Sequence, residues 1–407
     1  MTNVNPAGPR SGPVSENKSW LLPVIVILMS TGLTVLAADL ALRFLGRDLF
    51  YYRPNEMFIQ RWPKLPLVSR YKAHVRYEGR TYGDLAAMLG GTRFRQTRRV
   101  IFETDAFGFP NGPDVQNQTP HDVVILGDSC GVGLGTTQER TWPALLRERH
   151  GLRVYNLSIP GGSPWQGYIH LASEAGRLRF HPGSVVLVTV FSGNDLDDYY
   201  PDKEVALADL PWNNAWASLG VRAGTMIKRS PLFLLATRLR HGTRSETKVL
   251  VRALPDGRPI LFYAPYAANR GRPAEMVRRQ DNYPRLVRTL ENIMQTAAEN
   301  GLTMAVALFP SKEEVYGWAI DGARCGEGNS GPTGLGVALA TSCREKGINF
   351  FDLTPMIIAA ADKAWEESGD LVYWIDDTHW NEAGHGLVAD LLRPFLENCM
   401  GLFPKPS

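Results

Sequence analysis

Apolar and polar segments divide the chain into three parts. An uncharged apolar run covers residues 20–38, and a mixed segment with short strands expected at 75–82 and 100–104 and a short helix at 82–89 follows it. Beyond residue 121, apolar runs predict strands at 123–126, 153–157, 185–191, 304–309 and 348–352. Helical patterns lie between and after them, at 139–150, 165–178, 284–300 and 381–396. Strands that alternate with helices predict a doubly wound parallel α/β sheet.

The apolar run at residues 20–38 is just long enough to cross a bilayer as a helix, which needs about 20 apolar residues. A cleaved signal peptide is the alternative; its apolar core is normally about 7–15 residues, and the run here is longer. The Val-x-Ala pattern that ends at Ala37 keeps cleavage open. Basic residues flank the run on both sides, so the charge pattern does not fix its orientation.

These patterns predict four segments. We expect a disordered tail at residues 1–18, a transmembrane anchor at 19–41, a stalk and lead-in at 42–120 and a main domain at 121–400. Aromatic residues, prolines and basic residues interrupt the strand and helix rhythm at 200–258, which we interpret as an insertion in the main domain.

Bulk composition narrows the function classes. The 407 residues are 44% hydrophobic and 21% charged, as in ordinary globular proteins. A net charge of +3 gives no reason to expect nucleic acid as a partner. The four cysteines form no Cys-x-x-Cys pair, so we expect no structural metal. Whether Cys325 and Cys343, on either side of a glycine-rich stretch, form a disulfide stays open.

Residues with catalytic chemistry follow the predicted strands. Ser129 comes directly after the first strand, in Gly-Asp-Ser, where open α/β sheets place their ligands. We expect Ser129 to be a nucleophile. Gly161 follows the second strand, and Asn194 follows the third in Gly-Asn-Asp. Together with the backbone N–H of Ser129, these two residues offer three donors for an oxyanion.

The expected general base lies near the end of the chain, in the run Asp-Asp-Thr-His-Trp-Asn at residues 376–381. His379 is expected to accept the serine proton, while an acid orients its ring. Asp376 is the preferred acid and Asp377 the alternative. Lys312, in the run at residues 310–316, is interpreted as an exposed helix-start residue, with contact to an anionic substrate as the alternative.

The blocks around Ser129, Gly161, Asn194 and His379 closely resemble, in this order, the SGNH or GDSL hydrolase superfamily. The resemblance covers residues 121–398 and implies a flavodoxin-like three-layer α/β/α sandwich. The activity it implies is transfer of an acyl group from an ester to water or another hydroxyl, without cofactor or metal. It assigns Ser129 as nucleophile, His379 as base and Asp376 as its partner, with Ser129, Gly161 and Asn194 as the oxyanion hole.

The membrane segment, the run at 310–316 and Asp-Thr-His-Trp at 377–380 look like bacterial SGNH proteins of exopolysaccharide systems. Alginate O-acetyltransferases share that last run, but it precedes their serine, and their acid corresponds to Asp377. The likeness implies a membrane-anchored enzyme on the periplasmic or extracellular side. It would hydrolyse or transfer O-acetyl groups of an extracellular polysaccharide, with a multi-span membrane protein as acetyl supplier.

Two other functions remain as alternatives. The aromatic-rich insertion at 200–258 is compatible with a catalytically inactive polysaccharide-binding or export-complex subunit. A lipase or thioesterase would use the same residues as an acetyl enzyme, but with an apolar acyl pocket.

Overall fold

The structure is a computed structural model, and it describes residues 20–45, 53, 57–62, 65–90, 92–201, 230–233, 248–327 and 331–402. The predicted tail at 1–18 and most of the predicted insertion at 200–258 lie outside the described residues. The described strands are β1 (Ile59–Trp62), β2 (Leu65–Tyr71), β3 (Arg76–Thr81), β4 (Arg98–Glu103), β5 (His121–Leu126), β6 (Val154–Asn156), β7 (Phe180–Phe191), β8 (Val249–Ala253), β9 (Pro259–Tyr263), β10 (Thr303–Phe309) and β11 (Asn349–Asp352).

The described helices are α1 (Leu21–Leu45), α2 (Asp84–Leu89), α3 (Ser129–Val132), α4 (Trp142–Glu148), α5 (Pro164–Glu174), α6 (Ala264–Asn269), α7 (Ala274–Arg278), α8 (Asn282–Glu299), α9 (Lys312–Val315), α10 (Gly317–Asp321), α11 (Gly334–Lys346), α12 (Thr354–Ser368) and α13 (Glu382–Cys399). The Asn381 side chain caps α13 by accepting a 2.9 Å hydrogen bond from the backbone N–H of Gly384. This N-cap interaction satisfies one of the unpaired donors of the first turn.

Five parallel strands form the central sheet, in the order β11-β10-β7-β5-β6. Counted from β5 as the first strand, this is the order 2-1-3-4-5 of flavodoxin-like sheets. All five strands predicted in the main domain are present, and the predicted parallel α/β fold is confirmed.

Alternate side chains of each strand enter two different cores. On β5, Val123 and Ile125 pack with residues of α4, α12 and α13. The residues between and after them, Val124 and Leu126, pack with α5, α8 and α11 on the opposite face. This two-residue alternation is the geometry of a strand with both faces covered. The three-layer α/β/α sandwich is therefore confirmed.

The lead-in forms two antiparallel ribbons, β1 with β2 and β3 with β4, and the short helix α2. A third ribbon pairs β8, near the end of the predicted insertion, with β9, which lies just after it. The backbone N–H of Leu261 in β9 donates a 2.9 Å hydrogen bond to the carbonyl of Ile375. Because of this contact, the ribbon packs against the loop that precedes α13.

Helix α1 is long and apolar enough to cross a membrane, with Leu21–Leu42 as the candidate span. The most apolar part of that span is not buried against the rest of the described chain. A membrane anchor and a signal sequence share these properties. Near its end, the Asp39 carboxylate accepts a 2.6 Å hydrogen bond from Ser230 Oγ.

All four cysteines are free. Cys343 is buried on α11, and Cys325 Sγ lies 3.2 Å from Asp362 Oδ1. Cys325 and Cys343 therefore do not form a disulfide in the structure, which answers the question that the sequence left open.

Candidate active site

Ser129 is presented by a tight strand-to-helix turn at the carboxyl end of β5, since the strand ends at Leu126 and α3 begins at Ser129 itself. The Asp128 carboxylate caps this helix by accepting a 2.8 Å hydrogen bond from the backbone N–H of Cys130. The other oxygen of Asp128 lies 3.3 Å from Ser129 Oγ. The turn therefore places the serine hydroxyl at the ligand-binding edge of the sheet.

His379 connects the serine to a carboxylate. Its Nε2 lies 2.7 Å from Ser129 Oγ, and its Nδ1 lies 2.8 Å from Asp377 Oδ1. With the proton on Nδ1 donated to Asp377, Nε2 is free to accept the serine proton. The three side chains form the hydrogen-bonded row that nucleophilic catalysis by serine needs.

The preference for Asp376 as the acid is corrected by this geometry. Its carboxylate faces away from His379 and accepts 2.8 Å hydrogen bonds from the backbone N–H groups of Gly83 and Gln96. The other oxygen accepts a 2.9 Å bond from Arg98. Asp376 therefore holds the lead-in against the loop at 376–379, and the alternative acid, Asp377, contacts the histidine.

Two arginines keep Asp377 ionised. Arg53 Nη2 lies 2.5 Å from Asp377 Oδ1, and Arg98 Nη2 lies 2.7 Å from Asp377 Oδ2. Complete burial raises the pKa of this carboxyl, but Arg53, His379 and Arg98 together lower it well below its usual range. An ionised carboxylate is the form that accepts a hydrogen bond from Nδ1–H of His379.

Asp84 supports the same loop from α2. Its carboxylate accepts hydrogen bonds from the Thr378 backbone N–H at 3.0 Å and from Thr378 Oγ1 at 2.5 Å. The preceding residue must be small, because a Cβ on Gly83 would lie 1.8 Å from the carbonyl oxygen of Asp376. The lead-in therefore packs directly against the backbone of the loop at 376–379.

Asp84, Asp377 and His379 bring three ligand atoms within 4.8 Å of one another, a spacing that suits a metal ion. The guanidinium of Arg53 already contacts all three, at 3.5 Å from Asp84 Oδ2, 2.5 Å from Asp377 Oδ1 and 2.9 Å from His379 Nδ1. A metal ion would have to displace this cation, so the cluster does not fit a metal site.

The residues predicted for the oxyanion hole lie on loops at the same sheet edge. Gly161 has a φ of +65°, in the left-handed region that favours glycine, and an added Cβ there would meet nothing within 4 Å. Asn194 Nδ2 donates a 3.0 Å hydrogen bond to Asp198 Oδ2, which leaves its second N–H for another acceptor. Within the described residues, neither is hydrogen-bonded to Ser129, and their oxyanion role stays a prediction.

Lys312 is fully buried, so its interpretation as an exposed helix-start residue is wrong. Its Nζ donates hydrogen bonds to the carbonyls of Trp374, Ile375 and Asp377, at 2.7, 3.0 and 3.1 Å. Burial lowers the pKa of this amine to about 8, against the opposing influence of Glu313 and other nearby carboxylates. The lysine fixes the backbone from which Asp377 and His379 project.

No protein-family model matches the sequence, and no curated protein matches it. Similar solved structures include the psychrotrophic esterase EstA from Pseudoalteromonas sp., at 12% identity over 69% of this chain and 98% of that chain, with a TM-score of 0.33. A member of the lipolytic G-D-S-L family from Veillonella parvula aligns over 66% and 93% at 12% identity and a TM-score of 0.34. The acetyl xylan esterase AlAXEase aligns over 66% and 97%, also at 12% and 0.34. Likeness at this level carries no weight for substrate or chemistry.

Proposed function

We propose that this chain is a serine-dependent acyl-ester enzyme that works through an acyl-serine intermediate. The observation that carries the proposal is the continuous row from Ser129 Oγ through the His379 ring to Asp377, with contacts of 2.7 and 2.8 Å. A row with this spacing provides a nucleophile, a base and an orienting acid.

In the proposed first half-reaction, Ser129 Oγ attacks the ester carbonyl carbon while His379 Nε2 takes the hydroxyl proton. The carbonyl oxygen becomes an oxyanion, and we assign its stabilisation to the N–H groups of Ser129, Gly161 and Asn194. The intermediate collapses as the ester C–O bond breaks, and the leaving alkoxide takes the proton from His379. In the second half, His379 deprotonates water or a sugar hydroxyl, whose oxygen attacks the carbonyl carbon of the acyl-serine. The bond from that carbon to Ser129 Oγ then breaks, and His379 returns the proton to Oγ.

For the substrate, we propose O-acetyl groups of an extracellular polysaccharide, with the enzyme anchored by α1 and its main domain on the periplasmic or extracellular side. A cavity of about 490 Å³, lined by residues that include Arg270 and Trp318, supports a sugar-sized ligand. A smaller cavity that also contacts Arg270 reaches Ser192 and Gly193, next to Asn194. Neither cavity is lined by Ser129; we assign the smaller one, beside the loop of Asn194, to the body of the substrate.

The test is hydrolysis of a chromogenic acetyl ester by the full chain in detergent micelles. Ser129→Ala and His379→Ala should each reduce kcat by about 10³-fold or more. Ser163→Ala is the matched control, because this buried serine lies at the same sheet edge and donates only to the carbonyl of Tyr199. Wild-type turnover that persists in Ser129→Ala would refute the proposal.

Chain length separates the acetyl enzyme from a lipase or thioesterase. The proposal predicts that kcat/KM falls as the acyl group of the synthetic ester is lengthened from acetyl. A rise towards long acyl chains would favour the lipase or thioesterase alternative.

A further inference from the structure

Arg53, a residue of the lead-in, contacts two side chains of the proposed catalytic row, Asp377 and His379. It is 5% exposed, and it lies 324 residues before Asp377 in the chain. Its Nη2 is 2.5 Å from Asp377 Oδ1 and 2.9 Å from His379 Nδ1. One nitrogen of the lead-in therefore touches both the orienting acid and the proposed base.

We propose that Arg53, in the lead-in, is a positioning residue for the Asp377–His379 pair and completes the catalytic site. This inference rests on the proposed acyl-ester function. A guanidinium only donates hydrogen bonds, so the ionised Asp377 carboxylate is the partner it stabilises. Asp377 Oδ1, held in place by Arg53, then accepts a hydrogen bond from Nδ1–H of His379 and leaves Nε2 able to receive the serine proton.

Arg53 acts within a crowded set of charges, and each of them affects the charge state of Asp377. The groups that face this carboxylate or its backbone are Arg53, Arg98, Lys312, His379, Asp84 and Asp376. Arg98 binds the other carboxylate oxygen and is shared with Asp376. Arg53 is thus the cation on the Oδ1 side, where the histidine also binds.

The position of Arg53 in the chain also limits how far the site can be from the membrane. Helix α1 ends at Leu45, eight residues before Arg53. A fully extended chain of that length spans at most about 29 Å. If α1 is the anchor, the Cα of Arg53 therefore remains within about 29 Å of the end of the membrane helix, and the catalytic residues lie beyond it by the length of the arginine side chain and its contacts. The chemistry then takes place close to the bilayer.

The test compares Arg53→Ala and Arg53→Met with wild type, using the full chain in detergent and the chromogenic acetyl ester. We expect kcat to fall about 10²-fold or more while KM changes by less than about threefold, since the buried Arg53 acts through Asp377 and His379. Added methylguanidinium should restore part of the kcat of Arg53→Ala. In Arg53→Met, the acid limb of the kcat–pH profile should move to higher pH. A merely structural role would produce neither of these effects.

Arg70→Ala is the matched control, because Arg70 is an equally buried arginine of the lead-in whose partner is Glu174, at 2.7 Å. It should lose thermal stability, keep kcat within about threefold of wild type and show no rescue by methylguanidinium. If Arg53→Ala does not fold, the test is made on Arg53→Met, which nearly keeps the buried side-chain volume, through its kcat and its kcat–pH profile. A folded Arg53 variant with wild-type kcat and pH profile overturns this inference, whereas an inactive wild type overturns the proposed function instead.

Discussion

Replacing Asp376 and Asp377, one at a time, by asparagine tests which of the two acids orients the ring of His379. Asp377→Asn changes a carboxylate that receives hydrogen bonds from His379 Nδ1, Arg53 and Arg98. The amide can donate to Nδ1 and so favours the tautomer whose Nε2 already carries a proton. The same change in a serine protease triad lowers kcat by about 10⁴-fold, which corresponds to about 5 kcal/mol in the barrier.

Stability should also differ between the two variants. In Asp377→Asn, Arg53 and Arg98 lose their common counter-ion and keep Asp84 and Asp376, respectively. Breaking a buried ion pair costs at most about 3–5 kcal/mol. In Asp376→Asn, the amide oxygen can still accept from the backbone N–H groups of Gly83 and Gln96, and only the bond from Arg98 is lost. Loss of one hydrogen bond to a charged group costs about 1.5–3 kcal/mol.

The assay is acetyl-ester hydrolysis at neutral pH, with folding checked by circular dichroism and the free energy of unfolding measured with denaturant. We expect Asp377→Asn to lose about 10³–10⁴-fold in kcat and Asp376→Asn to lose less than about tenfold. An equal or larger loss of kcat in folded Asp376→Asn would show that the geometric assignment of the acid is wrong.

Three further changes test the support of the site. Lys312→Met removes the buried donor to three backbone carbonyls and should lower the free energy of unfolding by about 2–4 kcal/mol and also lower kcat. Unchanged stability in a denaturant titration would contradict this. Burial and the charge of Asp128 raise the pKa of Asp198 from 3.8 to about 7, so the folded chain keeps a proton that the unfolded chain releases, and stability falls as the pH rises through this interval. Asp198→Asn should therefore show a smaller decrease in melting temperature between about pH 4 and about pH 7, and parallel curves for the two proteins would speak against it. Gly83→Ala should lower the free energy of unfolding, measured by thermal denaturation, by about 1–3 kcal/mol, because its Cβ would lie 1.8 Å from a backbone oxygen. The control is Gly112→Ala, where an added Cβ has no neighbour closer than 3.8 Å. Equal losses of stability in the two variants would rule this explanation out.

Features encoded locally were predictable from the sequence. The strand β5 and the turn that presents Ser129 are contiguous, so an apolar run followed by Gly-Asp-Ser indicated both. The last helix was predicted to begin at residue 381 on the same basis, and the Asn381 side chain accepts a hydrogen bond from its first turn. Each of these features depends on residues a few positions apart, whose pattern reflects the geometry directly.

The choice between Asp376 and Asp377 was not predictable, because the two acids are adjacent and both are completely buried. Their roles differ because of partners almost 300 residues or more away in the chain, such as Gly83 and Arg53. Nothing in the local pattern around Arg53 distinguishes it from a solvated basic residue. Lys312 was misassigned for a related reason, since its hydrogen-bond acceptors are backbone carbonyls more than 60 residues away, and a backbone acceptor leaves no mark in the residue types.

The most direct test of the central claim is covalent trapping of the nucleophile. The full chain in detergent is treated with a fluorophosphonate probe, and the site of labelling is found by peptide mapping. We expect a single adduct, on Ser129, and none in Ser129→Ala. In His379→Ala the adduct should form about 10²-fold or more slowly, because His379 activates the hydroxyl. No adduct on Ser129, or a labelling rate unaffected by the loss of His379, would contradict it.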